Sequence, residues 1–274
     1  MTDTLTLTVA GITFEVAAPA AEWCADLADR YAPFLAQAAP EWRVRLVHDQ
    51  TADPGAPSWV LHEHHATRFR VGQMAGFIDL ATRTAEVSAP ERGYGGSAVE
   101  RALSYILMQE LPRHHQSLLL HGVAVARNGW GLAHCGRSGA GKTTTARLAE
   151  GHATVLVDEN LVISLAGAQP MVLSTPFWGG STPPAMIRRV NHQAPLAALL
   201  LLEHGPDFVL EPLAHGDAVL ALLTTEKVAV ERVSSAAAWL ATAEKLVAQV
   251  PAYRLTFRPT VELWPFLDEA LRLR

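Results

Sequence analysis

The stretch Gly136-Arg137-Ser138-Gly139-Ala140-Gly141-Lys142-Thr143 constrains this chain more than any other. It matches the G-x-x-x-x-G-K-[ST] spelling of a phosphate-binding loop. Small residues at Gly136, Ser138, Gly139, Ala140 and Gly141 let the backbone curl into a nest of N–H groups that can face phosphate oxygens. Lys142 places a point charge where β- and γ-phosphates would lie, and the Thr143 hydroxyl is of the kind that ligates Mg²⁺. The stretch from Thr143 through Thr144 to Leu148 opens a helix whose positive end faces the same anion. Residues Gly131 to Cys135 read as a strand, so the spelling sits in the strand–loop–helix context that it needs. The expectation is a nucleotide-binding protein that uses ATP and Mg²⁺.

A hydrophobic strand ending in an acid is the usual counterpart of such a loop, because the metal on the phosphates needs a carboxylate. Val155-Leu156-Val157-Asp158 fits, and Glu159 follows at once. Two adjacent acids allow one to bind metal and the other to accept a proton, or one to work while its neighbour merely caps a turn. His121, in Leu120-His121-Gly122, lies on the strand that pairs with the loop strand. A strand histidine of this kind reads either as a satisfied structural residue or as a titratable partner of the acids.

The chain has 274 residues, enough for one large domain or two small ones. Residues 4–16 alternate around Ala10-Gly11 as a hairpin, Ala18 to Ala39 reads as a helix closing at Pro40, and Trp42 to His48 alternates again. Asp49 to Ser58 is a loop, and Trp59 to Ile78 and Arg83 to Val87 hold short strands. Residues 1–96 thus read as a small α+β domain rich in antiparallel strands, bounded by the Gly93-Tyr-Gly-Gly96 cluster. Residues 97–274 read as an α/β nucleotide-binding domain. There Val99 to Leu111 is a helix, and Ser117 to Ala126 and Trp130 to Cys135 form a hairpin about Arg127-Asn128-Gly129. The run Ala194 to Leu202 is a helix or a strand, Phe208 to Leu210 a strand, Glu231 to Val250 an amphipathic helix, Tyr253 to Phe257 a strand and Val261 to Leu273 a closing helix.

Other features bound the class. A hydrophobic content of 49% with 18% charged residues describes a globular chain. A net charge of −5 argues against nucleic acid or an anionic membrane as partner. The longest apolar run, Pro195 to Leu202, is too short to span a bilayer, and the start of the chain lacks the basic and apolar regions of a secretory leader. Cys24 and Cys135 make no disulfide framework, and Cys135 reads as a buried small hydrophobe. The expectation is a cytoplasmic protein, with a homo-oligomer left open. Thr175 to Ser181 reads as a substrate loop or a plain connection, Arg188 and Arg189 as phosphate-facing or surface charges, and His62, His64 and His65 as one strand's alternating faces more than a metal site.

The order Leu120-His121-Gly122, hairpin, Gly136-x-Ser138-Gly-x-Gly-Lys142-Thr143, short helix, Val157-Asp158-Glu159-Asn160 resembles the bacterial HPr serine kinase/phosphorylase family, above all the short HPr-kinase-related proteins found with peptide-modification genes. A fainter likeness extends through Ser174 to Gly180 and Ala194 to Ala198. The resemblance implies a P-loop kinase core of the HPr kinase and ATP-dependent phosphoenolpyruvate carboxykinase type. It implies a phosphotransferase acting on a hydroxyl of a protein or peptide. It implies that His121 and Asp158 handle the proton at the nucleophile while Glu159 sits near the metal. Family members usually carry two Asp here, so Glu159 departs from the pattern. The C-terminal signature of true HPr kinases is not evident, which speaks against HPr itself as acceptor. A small-molecule kinase and a non-catalytic ATP-binding regulator remain the alternatives. No LSGGQ-like signature points to an ABC-type ATPase, and no N-K-x-D motif points to a GTPase.

Overall fold

The computed structural model describes residues 3–51, 53–179, 189–225 and 235–273. Its contacts divide them into two compact units, the first running to Gln109 and the second beginning at Glu110. Each unit is built on its own mixed sheet, and helices complete a mixed α/β protein.

The first unit opens with the hairpin β1 (Asp3–Val9) and β2 (Ile12–Ala18). Ala10 and Gly11 turn it with φ of 52° and 84°, the mirror-image turn that suits a twisted two-strand ribbon. Helix α1 (Ala21–Arg30) is shorter than the Ala18–Ala39 periodicity suggests. Pro33 has no N–H to carry the α-helical ladder onward, and the chain passes into a 3₁₀ turn, Ala32–Phe34. β3 (Trp42–His48), β4 (Trp59–His62), β5 (Ala66–Val71), β6 (Met74–Asp79) and β7 (Thr84–Ala89) complete a sheet ordered β1-β2-β3-β7-β6-β5-β4. Two of its ladders, β2 with β3 and β3 with β7, are parallel. Helix α2 (Arg92–His114) runs straight through the Gly93–Gly96 cluster that reads as a boundary in the sequence. His62 bonds Thr67 through Nδ1, and burial pushes its imidazole below the ordinary value. Among the described residues no group of three or more His, Cys, Asp or Glu side chains is placed to hold a metal.

The second unit is organised around β8 (Ser117–Arg127), buried along most of its length. A strand covered on both faces needs a continuous apolar run, which Leu118 to Val125 supplies around His121 and Gly122. Asn128 and Gly129, with φ of 51° and 83°, return the chain as β9 (Trp130–Cys135). Then follow α3 (Lys142–Leu148), β10 (Thr154–Val157), β11 (Asn160–Ser164), β12 (Met171–Leu173), β13 (Gln193–His204) and β14 (Val209–Pro212). The chain closes with α4 (His215–Thr225), α5 (Ala236–Gln249), β15 (Ala252–Phe257) and α6 (Leu263–Ala270). The run Ala194–Leu202, open to two readings in the sequence, is strand. It is buried between β9 and β15 with its side chains divided between two cores.

The two cores flank this sheet. On one side Leu118, Leu120, Leu199 and Leu201 pack with Trp239 and Leu246 of α5; on the other Val123, Val125, Leu200 and Leu202 pack with Ala146 of α3 and Trp264 of α6. Side chains alternate along a strand, so odd-numbered His121 falls on the α3 side with Val123 and Val125. Arg127 forks onto Asp268, and Trp264 donates to the Leu148 carbonyl, which ties α6 to the end of α3. Among the described residues no helix is long and apolar enough to cross a membrane.

Candidate functional site

Strand β9 sits between antiparallel β8 and parallel β13, and the Gly136–Thr143 loop emerges from its carboxyl end. The loop's conformation depends on its glycines. Gly139 has φ +84° and Gly141 φ +104°, the latter in the left-handed region at the N-cap of α3. A Cβ on Gly141 would also lie 2.8 Å from Phe257 Cζ. Lys142, at the first helical position, folds its ammonium back onto the loop and donates to the carbonyls of Gly136 at 2.6 Å and Arg137 at 3.0 Å. Its side chain is thereby held over the loop's centre.

The acidic turn is fixed from β8. Asn160 pairs with His121 in the β8–β11 ladder, so Asp158 and Glu159, between β10 and β11, are brought beside the His121-Gly122 pair. Two donors converge on the Glu159 carbonyl: the Gly122 N–H at 3.0 Å and His121 Nδ1 at 2.9 Å. A carbonyl can only accept, so Nδ1 carries the hydrogen and, in the neutral ring, Nε2 carries the lone pair. His121 Nδ1 also lies 3.9 Å from the Glu159 carboxylate. Gly122 has a packing reason to be glycine. A Cβ there would lie 2.7 Å from the His134 carbonyl oxygen and 2.9 Å from Leu161 Cδ2.

Asp158 is buried, 4% exposed, and its Oδ1 accepts the Gly179 N–H at 2.9 Å. That contact gives the turn-rich stretch after β12 a defined place. Phe177 and Trp178 are buried, Thr175 donates to the Asn160 carbonyl at 2.5 Å, and Arg189 Nε donates to the Pro176 carbonyl at 3.1 Å. Residues 175–179 therefore form part of the wall behind Asp158, while Gly180, Ser181 and Arg188 lie outside the described residues.

One cavity of about 310 Å³ gathers these elements, lined by His121, Ser138, Gly139, Gly141, Lys142, Thr143, Thr144, Asp158, Glu159 and His204. Gly136 and Ala140 belong to the same loop but line its other flank. The cavity thus brings a lysine, three hydroxyls, two carboxylates and two imidazoles around one concave space. It pairs cationic and N–H groups suited to an anion with acids suited to a metal or a proton. His204, at the end of β13, was not singled out in the sequence. Its Nε2 lies 2.6 Å from the Gly139 carbonyl, and its ring stacks on Phe257. A histidine closing the long apolar run Leu196–Leu202 is the signal that could have drawn attention to it. Gly179 left no such signal, because its role is carried by a backbone N–H.

Thr143 and Glu159 suit Mg²⁺, which takes one or two protein ligands with the remaining positions filled by phosphate and water. A dedicated cluster of three protein ligands is not what this ion requires.

A family model described as SynChlorMet cassette protein ScmC matches residues 98–272. Among solved structures, the HPr(Ser) kinase/phosphatase from Coxiella burnetii matches with a TM-score of 0.32 and 12% identity, covering 56% of this chain and 88% of its own. No curated protein matches.

Proposed function

The chain belongs to the family of SynChlorMet cassette protein ScmC, and from that premise and the site we propose that it is an ATP-dependent phosphotransferase built on a P-loop kinase core of the HPr kinase type. Its acceptor in this reading is a hydroxyl, a Ser or Thr side chain of a protein or peptide. The observation that carries the reading is the single cavity in which the phosphate-loop residues Lys142, Thr143 and Thr144 meet Asp158, Glu159 and His121.

Each residue has work suited to its surroundings. Residues Gly136 to Thr144 would cradle the phosphates with backbone N–H groups, and Lys142 would exchange its loop carbonyls for phosphate oxygens. Thr143 and Glu159 would hold Mg²⁺, which when bound supplies positive charge to the phosphate oxygens. Asp158 accepts the proton of the acceptor hydroxyl, its carboxylate oriented by the Gly179 N–H. His121, with Nδ1–H tied to the Glu159 carbonyl, keeps a basic Nε2 able to take up or return that proton. Preorganised charge and positioning supply the rate, as the chemistry of phosphoryl transfer requires.

The test is transfer of radiolabelled γ-phosphate from ATP to cell lysate or to peptides encoded nearby. Wild type labels an acceptor, Lys142→Ala loses ATP affinity and transfer together, and Asp158→Asn binds ATP while transfer falls about a hundredfold or more. Normal transfer by Asp158→Asn with loss in Glu159→Gln would exchange the two acids' roles. ATP binding with no labelled acceptor, and full activity in both acid variants, would leave a nucleotide-dependent regulator instead.

A further inference from the structure

The loop has a second flank. Beyond β9, a cavity of about 790 Å³ opens over the carboxyl end of β13 and beside Arg254 of β15, with the first half of the loop, Gly136 to Ala140, as one wall. It shares only Ser138, Gly139 and His204 with the cavity that holds the acids. Resting on the phosphotransferase reading above, we propose that this second cavity is the nucleoside subsite. In it the base and ribose of a purine nucleotide lie against α4 while the phosphates pass along the loop toward Lys142.

Topology places it there first. β9, β13 and β15 are mutually parallel through the β9–β13 and β13–β15 ladders, so their carboxyl ends open on one edge. Ligands of such sheets lie in the crevice outside those ends. The chain also divides its chemistry between the flanks of β9. The β8 flank carries the imidazole, the lysine and the acid pair. The β13 flank offers an apolar surface, with Leu201, Leu213, Leu220 and Ala221 in its lining. Polar side chains, Glu203, Asp217 and Arg254 among them, share that lining, and the cavity's volume falls in the usual range for a small-molecule pocket. Leu220 is 59% exposed, the most exposed of the large hydrophobic residues described. A flat ring laid over it would remove apolar surface from water that the fold itself leaves uncovered.

Charge says which part of the nucleotide belongs here. The lining includes the carboxylates of Asp217 and Glu203; Arg254 is matched by Glu203 at 3.1 Å and Glu211 at 3.5 Å, and the other arginine, Arg137, belongs to the loop along which the phosphates would pass. Carboxylates repel a polyphosphate but accept hydrogen bonds from neutral donors. Ribose hydroxyls and purine N–H groups are such donors, and Asp217 on α4 supplies a carboxylate acceptor to the lining. His204 lies where the two cavities meet, its ring nitrogen on the Gly139 carbonyl.

The test compares Mg·ATP with Mg·tripolyphosphate, which carries the phosphates without the nucleoside, by calorimetry on the full chain. Wild type binds ATP more tightly than tripolyphosphate by about tenfold or more, the worth of one leucine-sized apolar contact. Leu220→Gln, an uncharged change at an exposed position, removes most of that difference and leaves tripolyphosphate affinity intact. Ala221→Trp, which fills the cavity, does the same. Lys142→Ala weakens both ligands. Equal affinity of wild type for ATP and tripolyphosphate overturns the subsite, as does unchanged ATP affinity in both cavity variants. In each of those cases a Lys142-dependent tripolyphosphate affinity shows that phosphate binding by the loop, on which the proposed function rests, still stands. Binding of neither ligand, or binding indifferent to Lys142→Ala, removes the nucleotide reading and the subsite with it.

Discussion

His121 uses its Nδ1–H to hold the Glu159 carbonyl, and this single bond separates two roles that the residue could play. As a positioning group it needs only a donor; as a proton carrier it needs a titratable Nε2. His121→Gln keeps a side-chain donor without a titratable ring, whereas His121→Ala removes both. We expect transfer to fall in both variants, with ATP affinity nearly intact and the dependence of rate on pH altered. Recovery of wild-type rate and pH profile by His121→Gln would reduce the residue to a clamp. His134 offers a contrast on the neighbouring strand. It is fully buried, and desolvation pushes its imidazole down to about 4, offset in part by the backbone of Val123 and Leu132. The native chain therefore refuses a proton that the unfolded chain accepts between the ordinary histidine value of 6.5 and about 4. Stability should fall as pH drops through that window, by up to about 1.4 kcal/mol per pH unit from this group, and be unaffected by it above 6.5. Urea denaturation of wild type and His134→Leu at pH 7 and pH 5 checks the sign. The variant should lose less stability on acidification, and an equal loss in both would exclude His134 as the cause.

At the scale of elements, the site depends on how β8 grips the β10–β11 turn. The β11 ladder ends at His121 and the β9 ladder begins at Gly122, and glycine at 122 lets β8 pass close to both neighbours. Gly122→Ala forces a Cβ to within 2.7 Å of the His134 carbonyl oxygen, a backbone atom that cannot rotate away. We expect a loss of about 1–3 kcal/mol of stability, the range for overpacking, and a larger fall in kcat than in ATP affinity, because the Glu159 carbonyl would lose its Gly122 donor. Chemical denaturation and transfer kinetics on the same preparation measure both. A variant as stable and active as wild type would show that the strands can part without cost to the turn. The Gly136–Thr143 loop behaves differently, since its shape is stored locally in Gly139 and Gly141 at positive φ. Gly141→Ala combines backbone strain with a contact at 2.8 Å from Phe257 Cζ, and should weaken ATP binding as well as stability.

For the whole molecule, the division into two contact units has a thermodynamic reading. Chains with two compact units need not unfold in one step. A ligand held by the second unit stabilises that unit directly, by about 2.7 kcal/mol at a free concentration one hundredfold above its Kd. Calorimetric scans should resolve two transitions, with Mg·ATP raising the one that belongs to the residues from Glu110 onward. Lys142→Ala should remove the ligand-induced shift. A shift of neither transition at saturating ATP would count against nucleotide binding by the loop.

What was legible in the amino-acid sequence is what local chemistry dictates. Glycines that turn a loop, a lysine and threonine at a helix start, and an Asn-Gly hairpin depend on neighbours within a few residues, so their spelling suffices. The Asp158-Glu159 pair after an apolar strand was legible for the same reason. Where α1 ends, that Ala194 to Leu202 is strand, and that α4 forms one wall of a cavity were settled by packing across the fold. The contacts that shape the site are longer-ranged still: Gly179 reaches Asp158 across 21 positions, His121 the Glu159 carbonyl across 38, and His204 the Gly139 carbonyl across 65. Such meetings follow from the pairing of β8 with β11 and of β9 with β13. Strand register is set by burial of whole faces rather than by any one residue. The chain's own spelling therefore specified the glycine turns and the helix start of the Gly136–Thr143 loop, and only the tertiary structure decided which acid, imidazole and backbone N–H groups surround it.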